Sequence, residues 1–181
     1  MRVTSRFSLF AATAALTVSC AANAAPVFIN ILTGGTSGVY YPIGVGLSQI
    51  YSDGIAGAKT SVQATKASVE NLNLLQAGRG ELALALGDSV ADAKNGVEDA
   101  GFKAPLTKLR AIAGAYPNYI QIVANKESGI KTLADLKGKT ISVGAPKSGT
   151  ELNARAIFKA AGLTYEAVSY THLTLPTIYS V

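Results

Sequence analysis

The segment Gly34-Gly35-Thr36-Ser37-Gly38-Val39-Tyr40-Tyr41-Pro42 constrains the fold of this chain more than any other stretch. It follows an apolar run, Val27 to Leu32, that reads as a β-strand. It precedes Ile43, Val45, Leu47 and Ile50, whose spacing suits the buried side of a helix over about Gly38–Tyr51. A strand, a Gly/Ser/Thr turn and a helix start leave several backbone N–H groups unpaired at the turn. Those donors and the positive end of the helix dipole suit an anion.

The same alternation continues along the chain. Lys59–Ala64 reads as a short strand. Ser68 suits the N-cap of a helix carrying Val69, Leu72 and Leu75, with Gly78 placed to end it. Leu82–Leu86 reads as a buried strand, with Asp88 capping a helix over about Ser89–Lys94. Residues 95–107 read as a loop, and Leu109–Tyr116 and Tyr119–Asn125 as two strands broken at Pro117-Asn118. Thr132-Leu133-Ala134-Asp135 opens a short helix, and Lys139–Val143 is a strand. Ser148-Gly149-Thr150-Glu151 matches a capping box ahead of a helix over Leu152–Ala161, ended by Gly162. Strands alternating with helices predict an α/β fold with parallel sheet. In such sheets, ligands sit at the carboxyl ends of the strands.

Three of the βα turns are chemically alike. The first is Gly34–Tyr41, with Thr36, Ser37, Gly38 and Tyr40 as candidate ligand contacts. The second is Thr65–Ser68, followed by Asn71, and the third is Gly144–Thr150, with Ser148 and Thr150. Each puts hydroxyls and free amides at a helix start, which is what a carboxylate or phosphate needs. Plain capping accounts equally well for any one of them, but three together favour a ligand. None is a nucleotide motif: Thr150 stands where a P-loop requires Lys, and the first turn lacks G-x-G-x-x-G.

The N-terminus reads as an export signal, residues 1–24. Arg2 and Arg6 precede the apolar run Phe7–Val18, which is too short to span a bilayer, and Ala22-Asn23-Ala24 has the pattern of a signal-peptidase site. Cys20, the only cysteine, lacks a convincing lipobox and is expected to leave with the signal. The mature chain then has no thiol for disulfides or metal, and the expected location is a bacterial periplasm. Loss of the two arginines lowers the formal charge from +5 to +3. The remaining lysines are scattered, which argues against nucleic acid.

Catalytic groups are missing. The only histidine is His172, and without a trusted His or Cys a nucleophile has no relay partner. Asp88, Asp92, Glu98 and Asp99 are better read as capping or solvated carboxylates than as acid–base groups. No catalytic residue, metal ligand or cofactor is therefore expected. Tyr40, Tyr41 and Tyr116 are the aromatics best placed to face a cleft, although half-buried packing explains each nearly as well.

Four ordered strings resemble the TAXI solute receptors of TRAP transporters: Gly34–Gly44 around Tyr40-Tyr41-Pro42, Gln63–Leu72, Gly129–Lys139 and Ser142–Glu151. The resemblance runs from about Val27 to Val168. It implies a type II periplasmic-binding-protein fold with two lobes of mixed, mostly parallel sheet. The first lobe would be residues 25–125. A second, incomplete lobe would begin at residues 126–168. It further implies a receptor for a small organic anion, such as glutamate, glutamine or another carboxylate, that hands its ligand to TRAP membrane permease subunits. An exported enzyme, or a sensor or antigen domain on the same fold, is the alternative. One departure is Lys66-Ala67, where the family carries glycine. The resemblance also implies a chain about twice this length. It leaves residues 169–181 unexplained, so they are expected to be foreign to the fold. Such a chain by itself should expose apolar sheet edges and be prone to aggregate.

Overall fold

The computed structural model describes residues 25–164 and 169–171. The expected export signal and His172 lie outside the described residues.

Strand β1 (Val27–Leu32) is central in a three-stranded sheet. It pairs in parallel with β2 (Ala58–Gln63) on one side, from Val27 opposite Ala58 to Leu32 opposite Gln63. On the other side it pairs with β3 (Leu82–Ala83), Ile31 opposite Leu82. The order β2-β1-β3 places a topological switch between β1 and β3, because the chain leaves β1 in one direction and returns past it in the other. In an open parallel sheet that is where the strand ends gape and a crevice forms. Helices α1 (Tyr40–Gly54) and α2 (Ser68–Gln76) make the two crossovers, and α3 (Gly87–Asn95) follows β3.

Helix α1 approaches the sheet through a glycine rather than through the predicted apolar stripe. Val45 and Ile50 are exposed, and Gly44 is its buried residue. A Cβ at Gly44 would lie 2.4 Å from Thr33 Cγ2 and 3.2 Å from Val62 Cγ1. The helix can therefore sit on β1 and β2 only because that side chain is absent.

Behind α2 and α3 lies a core of Val69, Leu72, Ala93, Ala100 and Phe102, against which Ala85, Val90, Leu106, Leu109 and Leu152 pack. Phe102 is fully buried within a segment read from sequence as loop. A 3-10 turn over Glu98–Ala100 folds it inward. A second core joins Leu136, Val143 and Phe158. It lies under a second sheet in which β4 (Thr140–Ser142) pairs in parallel with β5 (Ser169–Thr171), beside helix α4 (Gly149–Ala160). α4 serves both cores: Leu152 reaches the first, while Ala154 and Phe158 belong to the second. Among the described residues every strand pair is parallel.

Several expectations are corrected. Leu109–Tyr116 and Tyr119–Asn125 carry no strand, because no neighbour supplies the other half of a ladder. Leu109 packs against the first core, but most of their other apolar side chains stand in solvent, Ile112 77% exposed and Val123 91%. β3 is shorter than Leu82–Leu86, although Leu84 N–H still reaches the Leu32 carbonyl at 3.0 Å. Ser68 is not the N-cap of α2. Ala67 holds that place, and Ser68 is the first helical residue. Asp88 lies inside the first turn of α3, where its carboxylate accepts from Ser89 N–H at 2.6 Å. In α4, Ser148 caps by accepting from Glu151 N–H, but Glu151 reaches past it to the Lys147 N–H, so the box is displaced by one residue. Thr132 and Asp135 do form a reciprocal capping box, on a single 3-10 turn. Ser169–Thr171, read as foreign to the fold, forms the edge strand β5. Backbone pairing with β4 needs only an extended chain beside it.

Two glycine substitutions in α1 separate packing from propensity. Gly46 has open space where its Cβ would stand. Gly46→Ala should stabilise the chain by about 0.5–1 kcal/mol, whereas Gly44→Ala should destabilise it by about 1–3 kcal/mol through overpacking against Thr33. Urea unfolding of both variants checks the opposite signs.

Candidate functional site

The βα turns meet at the carboxyl ends of the first sheet. Turn one is closed by Gly38 N–H to Gly35 O at 2.9 Å and leaves Thr36, Ser37 and Gly38 exposed. It touches turn two through Thr65 N–H to Gly34 O at 3.4 Å.

Turn two rests on a fully buried asparagine. Asn71 Nδ2 donates to Thr33 O at 2.6 Å and Leu84 O at 2.8 Å, and its Oδ1 accepts from Thr65 Oγ1 at 2.6 Å. Thr65 Oγ1 in turn accepts from Ala67 N–H at 2.9 Å. Glu70 accepts from Lys66 N–H at 2.6 Å. Thr65 and Asn71, both candidate ligand residues, thus have their polar atoms engaged in holding β1, β3 and α2 together. Ala67 is forced to φ 74°, ψ −145°, a region that favours glycine.

Ser68 Oγ accepts from Leu86 N–H at 3.1 Å, tying α2 to the β3–α3 turn. It also bonds the Tyr40 hydroxyl. The Tyr40 ring meets Tyr116 edge to face, with centroids 6.5 Å apart and planes at 67°. Burial raises the Tyr40 phenol above its ordinary pKa. The nearby Tyr116 and Asp88 add to the rise, and the Ser68 hydrogen bond partly opposes it. Turn three comes in from α4. A Cβ at Gly149 would fall 2.5 Å from Leu86 Cδ1 and 2.8 Å from Ser68 Oγ. Only glycine allows this approach.

The structure therefore gathers Tyr40, Ser68, Gly149 and the Leu86 amide, with Tyr116 packed on the Tyr40 ring. Ser148 is buried and spent on capping. Thr150 is exposed and lines a separate cavity of about 460 Å³, bounded by residues 118–125, β4 and α4. A second, shallow depression of about 660 Å³ lies on the sheet over Asn30, Ser61 and Gln63, away from the turns. Its side chains are bonded to one another, Asn30 Nδ2 to Gln63 Oε1 at 2.9 Å. Among the described residues no group of His, Cys, Asp or Glu could hold a metal ion.

Sequence reasoning named Tyr116 only as a cleft-facing aromatic and Asp88 only as a cap. Neither lies in a βα turn motif whose chemistry stands out, and Tyr116 lies on a segment without a ladder to place it. The Leu86 amide carries no sequence signal at all.

An open parallel α/β sheet of order 2-1-3 gathers hydroxyls and amides at its strand ends. The alkanesulfonate-binding protein SsuA from Xanthomonas axonopodis pv. citri, solved bound to MOPS, superposes with a TM-score of 0.50 over 84% of this chain at 18% identity. This chain spans 49% of the length of that protein. Residues 31–180 match the model of the NMT1-like family, and the chain belongs to that family.

The strained turn and the buried phenol each yield a measurement. Ala67→Gly should raise stability by about 1 kcal/mol, because glycine adopts this backbone without strain; a lowered denaturation midpoint would contradict the geometry. For Tyr40, a folded pKa above the unfolded value near 10 means that its stabilising contribution is complete below that value. It is lost as pH rises through the folded value. Alkaline melts should therefore show stability declining from about pH 10, and Tyr40→Phe should flatten that decline.

Proposed function

We propose that this chain is the ligand-capturing part of a periplasmic solute receptor, and that its solute carries an acidic group held at turn one. The observation that carries the reading is a contrast among helix starts. α2, α3 and α4 each have an acidic residue in the first turn, namely Glu70, Asp88 and Glu151, whose carboxylates accept from nearby backbone amides. α1 has neither an acidic residue in its first turn nor a side-chain cap. Its start is the one that still asks for negative charge, and it adjoins Tyr40 and the Ser68 hydroxyl.

Tyr40 suits the role of a neutral donor. Ser68 Oγ has one lone pair on the Leu86 amide and shares a hydrogen bond with the phenol, which burial keeps protonated. Thr36, Ser37 and Gly38 supply exposed groups on the turn itself. Thr65 and Asn71 act through the backbone they position, and Ser148 and Thr150 belong to the opposing turn. The solute-binding protein matched in fold supports the receptor class.

The finer reading is a carboxylate or amino acid delivered to TRAP permease subunits from the periplasm. It rests on the four TAXI-like strings and on the export-signal pattern of residues 1–24. In that reading the lobes, residues 25–125 and 126–168, close on the solute by hinge motion.

A thermal-shift screen of carboxylates, sulfonates and amino acids tests the proposal. A bound solute at about 100 times its dissociation constant adds about 2.7 kcal/mol of stability. The Tyr40→Phe variant should bind the same solute about tenfold to a hundredfold more weakly, the worth of one hydrogen bond to a charged group. An absence of any shift across the acids would remove the receptor reading.

A further inference from the structure

The cavity of about 460 Å³ bounded by residues 118–125, β4 and α4 differs in chemistry from the turn cluster beside it. No Asp, Glu, Lys, Arg or His is among its lining residues. Its α4 wall is a single stripe of the helix, made by Thr150, Asn153, Ala154, Ile157 and Phe158. The stripe is polar at the helix start and apolar further along. At 1.5 Å per residue it runs about 12 Å from Thr150 to Phe158. Across from it, Ile120 and Ile122 of the extended segment line the same space, and both are exposed.

The polar end of this cavity adjoins the turn cluster at three points. Leu86 lines the cavity, and its amide donates to Ser68 Oγ at 3.1 Å. Thr150 lines it and follows Gly149, whose missing side chain lets α4 approach Ser68 and Leu86. Asn118 lines it two residues after Tyr116, whose ring meets Tyr40 with centroids 6.5 Å apart. Tyr40 in turn stands against turn one, 3.7 Å from where a Cβ at Gly34 would lie. A solute held at the turns by its acid group therefore lies beside a space that offers the rest of it no charge.

We propose that this cavity is a tail subsite, and that the solute is a monoacid whose uncharged, mainly apolar tail lies along α4 toward Phe158. The inference rests on the receptor reading above and narrows the solute class of the same site. It sets the chain apart from a receptor for glutamate or a dicarboxylate. A second charge would be carried into a space with no charged partner, and burying an unpaired charge is costly. An apolar tail instead covers Ile120 and Ile122, which otherwise meet water.

Calorimetry on the full chain tests it with acetate, butanoate, hexanoate and octanoate, and with adipate, which is hexanoate carrying a second carboxylate at its far end. Each added methylene should tighten binding about threefold to fourfold, the worth of one buried methylene, with one acid bound per chain. Adipate should bind at least about tenfold more weakly than hexanoate. Ile122→Asp puts a carboxylate in the cavity wall, on a segment outside any ladder, and should flatten the series.

Affinity that does not depend on tail length overturns the subsite and leaves the receptor reading standing. So does adipate bound as tightly as hexanoate, or a length dependence that survives Ile122→Asp. More than one octanoate per chain is adsorption to exposed apolar surface and overturns it too. If none of the five binds while another acid does, the subsite falls and the receptor stands; if no acid binds, both fall. The unsubstituted chain alone decides the matter if the variant fails to fold, which its melting curve reports.

Discussion

The side chain of Asn71 is fully buried, and its amide bonds the carbonyls of Thr33 and Leu84, each one residue beyond the end of one of two parallel strands, β1 and β3, that do not follow one another in sequence. Buried carbonyls at strand ends need hydrogen-bond partners, and the Thr33 carbonyl has the Thr65 hydroxyl as well as Asn71. Asn71 satisfies them, and its own oxygen takes the Thr65 hydroxyl. A single buried residue thereby sets the separation of β1 and β3, anchors the start of α2, and fixes turn two. Because the network is closed, each member depends on the others, and a half-satisfied version would be worse than an apolar one.

The site inherits its shape from this clasp. With Thr65 and Asn71 fixed, Ala67 is held in a backbone region that strains any residue with a side chain, and Ser68 is delivered where it can reach both the Leu86 amide and the Tyr40 phenol. Strain stored beside a binding cluster is common when the surrounding bonds over-determine the turn, as those from Thr65 and Glu70 do here. Turn one stays comparatively free. It bears no acidic group, and Thr36, Ser37 and Gly38 are exposed.

Much of this was legible from residue order alone. The alternation of apolar strands with amphipathic helices announced a parallel α/β sheet. The Gly/Ser/Thr turns marked the strand ends, and Gly78, Gly96 and Gly162 end their helices with positive φ. The errors share one cause. Val45 and Ile50 have helical spacing but stand exposed, since spacing cannot say which face meets the sheet when a glycine makes the contact. The strings 109–116 and 119–125 have strand composition, but a strand is made by its neighbour and none is present among the described residues. Ser68 and Asp88 have the chemistry of caps, yet bonds from other elements claim them or shift them into the helix. Tyr116 could be named as an aromatic but not as a partner of Tyr40, which lies 76 positions earlier in the chain.

Sequence by itself therefore determined which segments form the layers and which turns expose donors, because those follow from local periodicity and local backbone chemistry. Only the tertiary structure decided that Asn71 and Thr65 serve the scaffold, that Ser68, Leu86 and Gly149 converge near Tyr40, and that Tyr116 packs on its ring. Those outcomes depend on strand order and on close approach between elements far apart in the chain, quantities that no local pattern encodes.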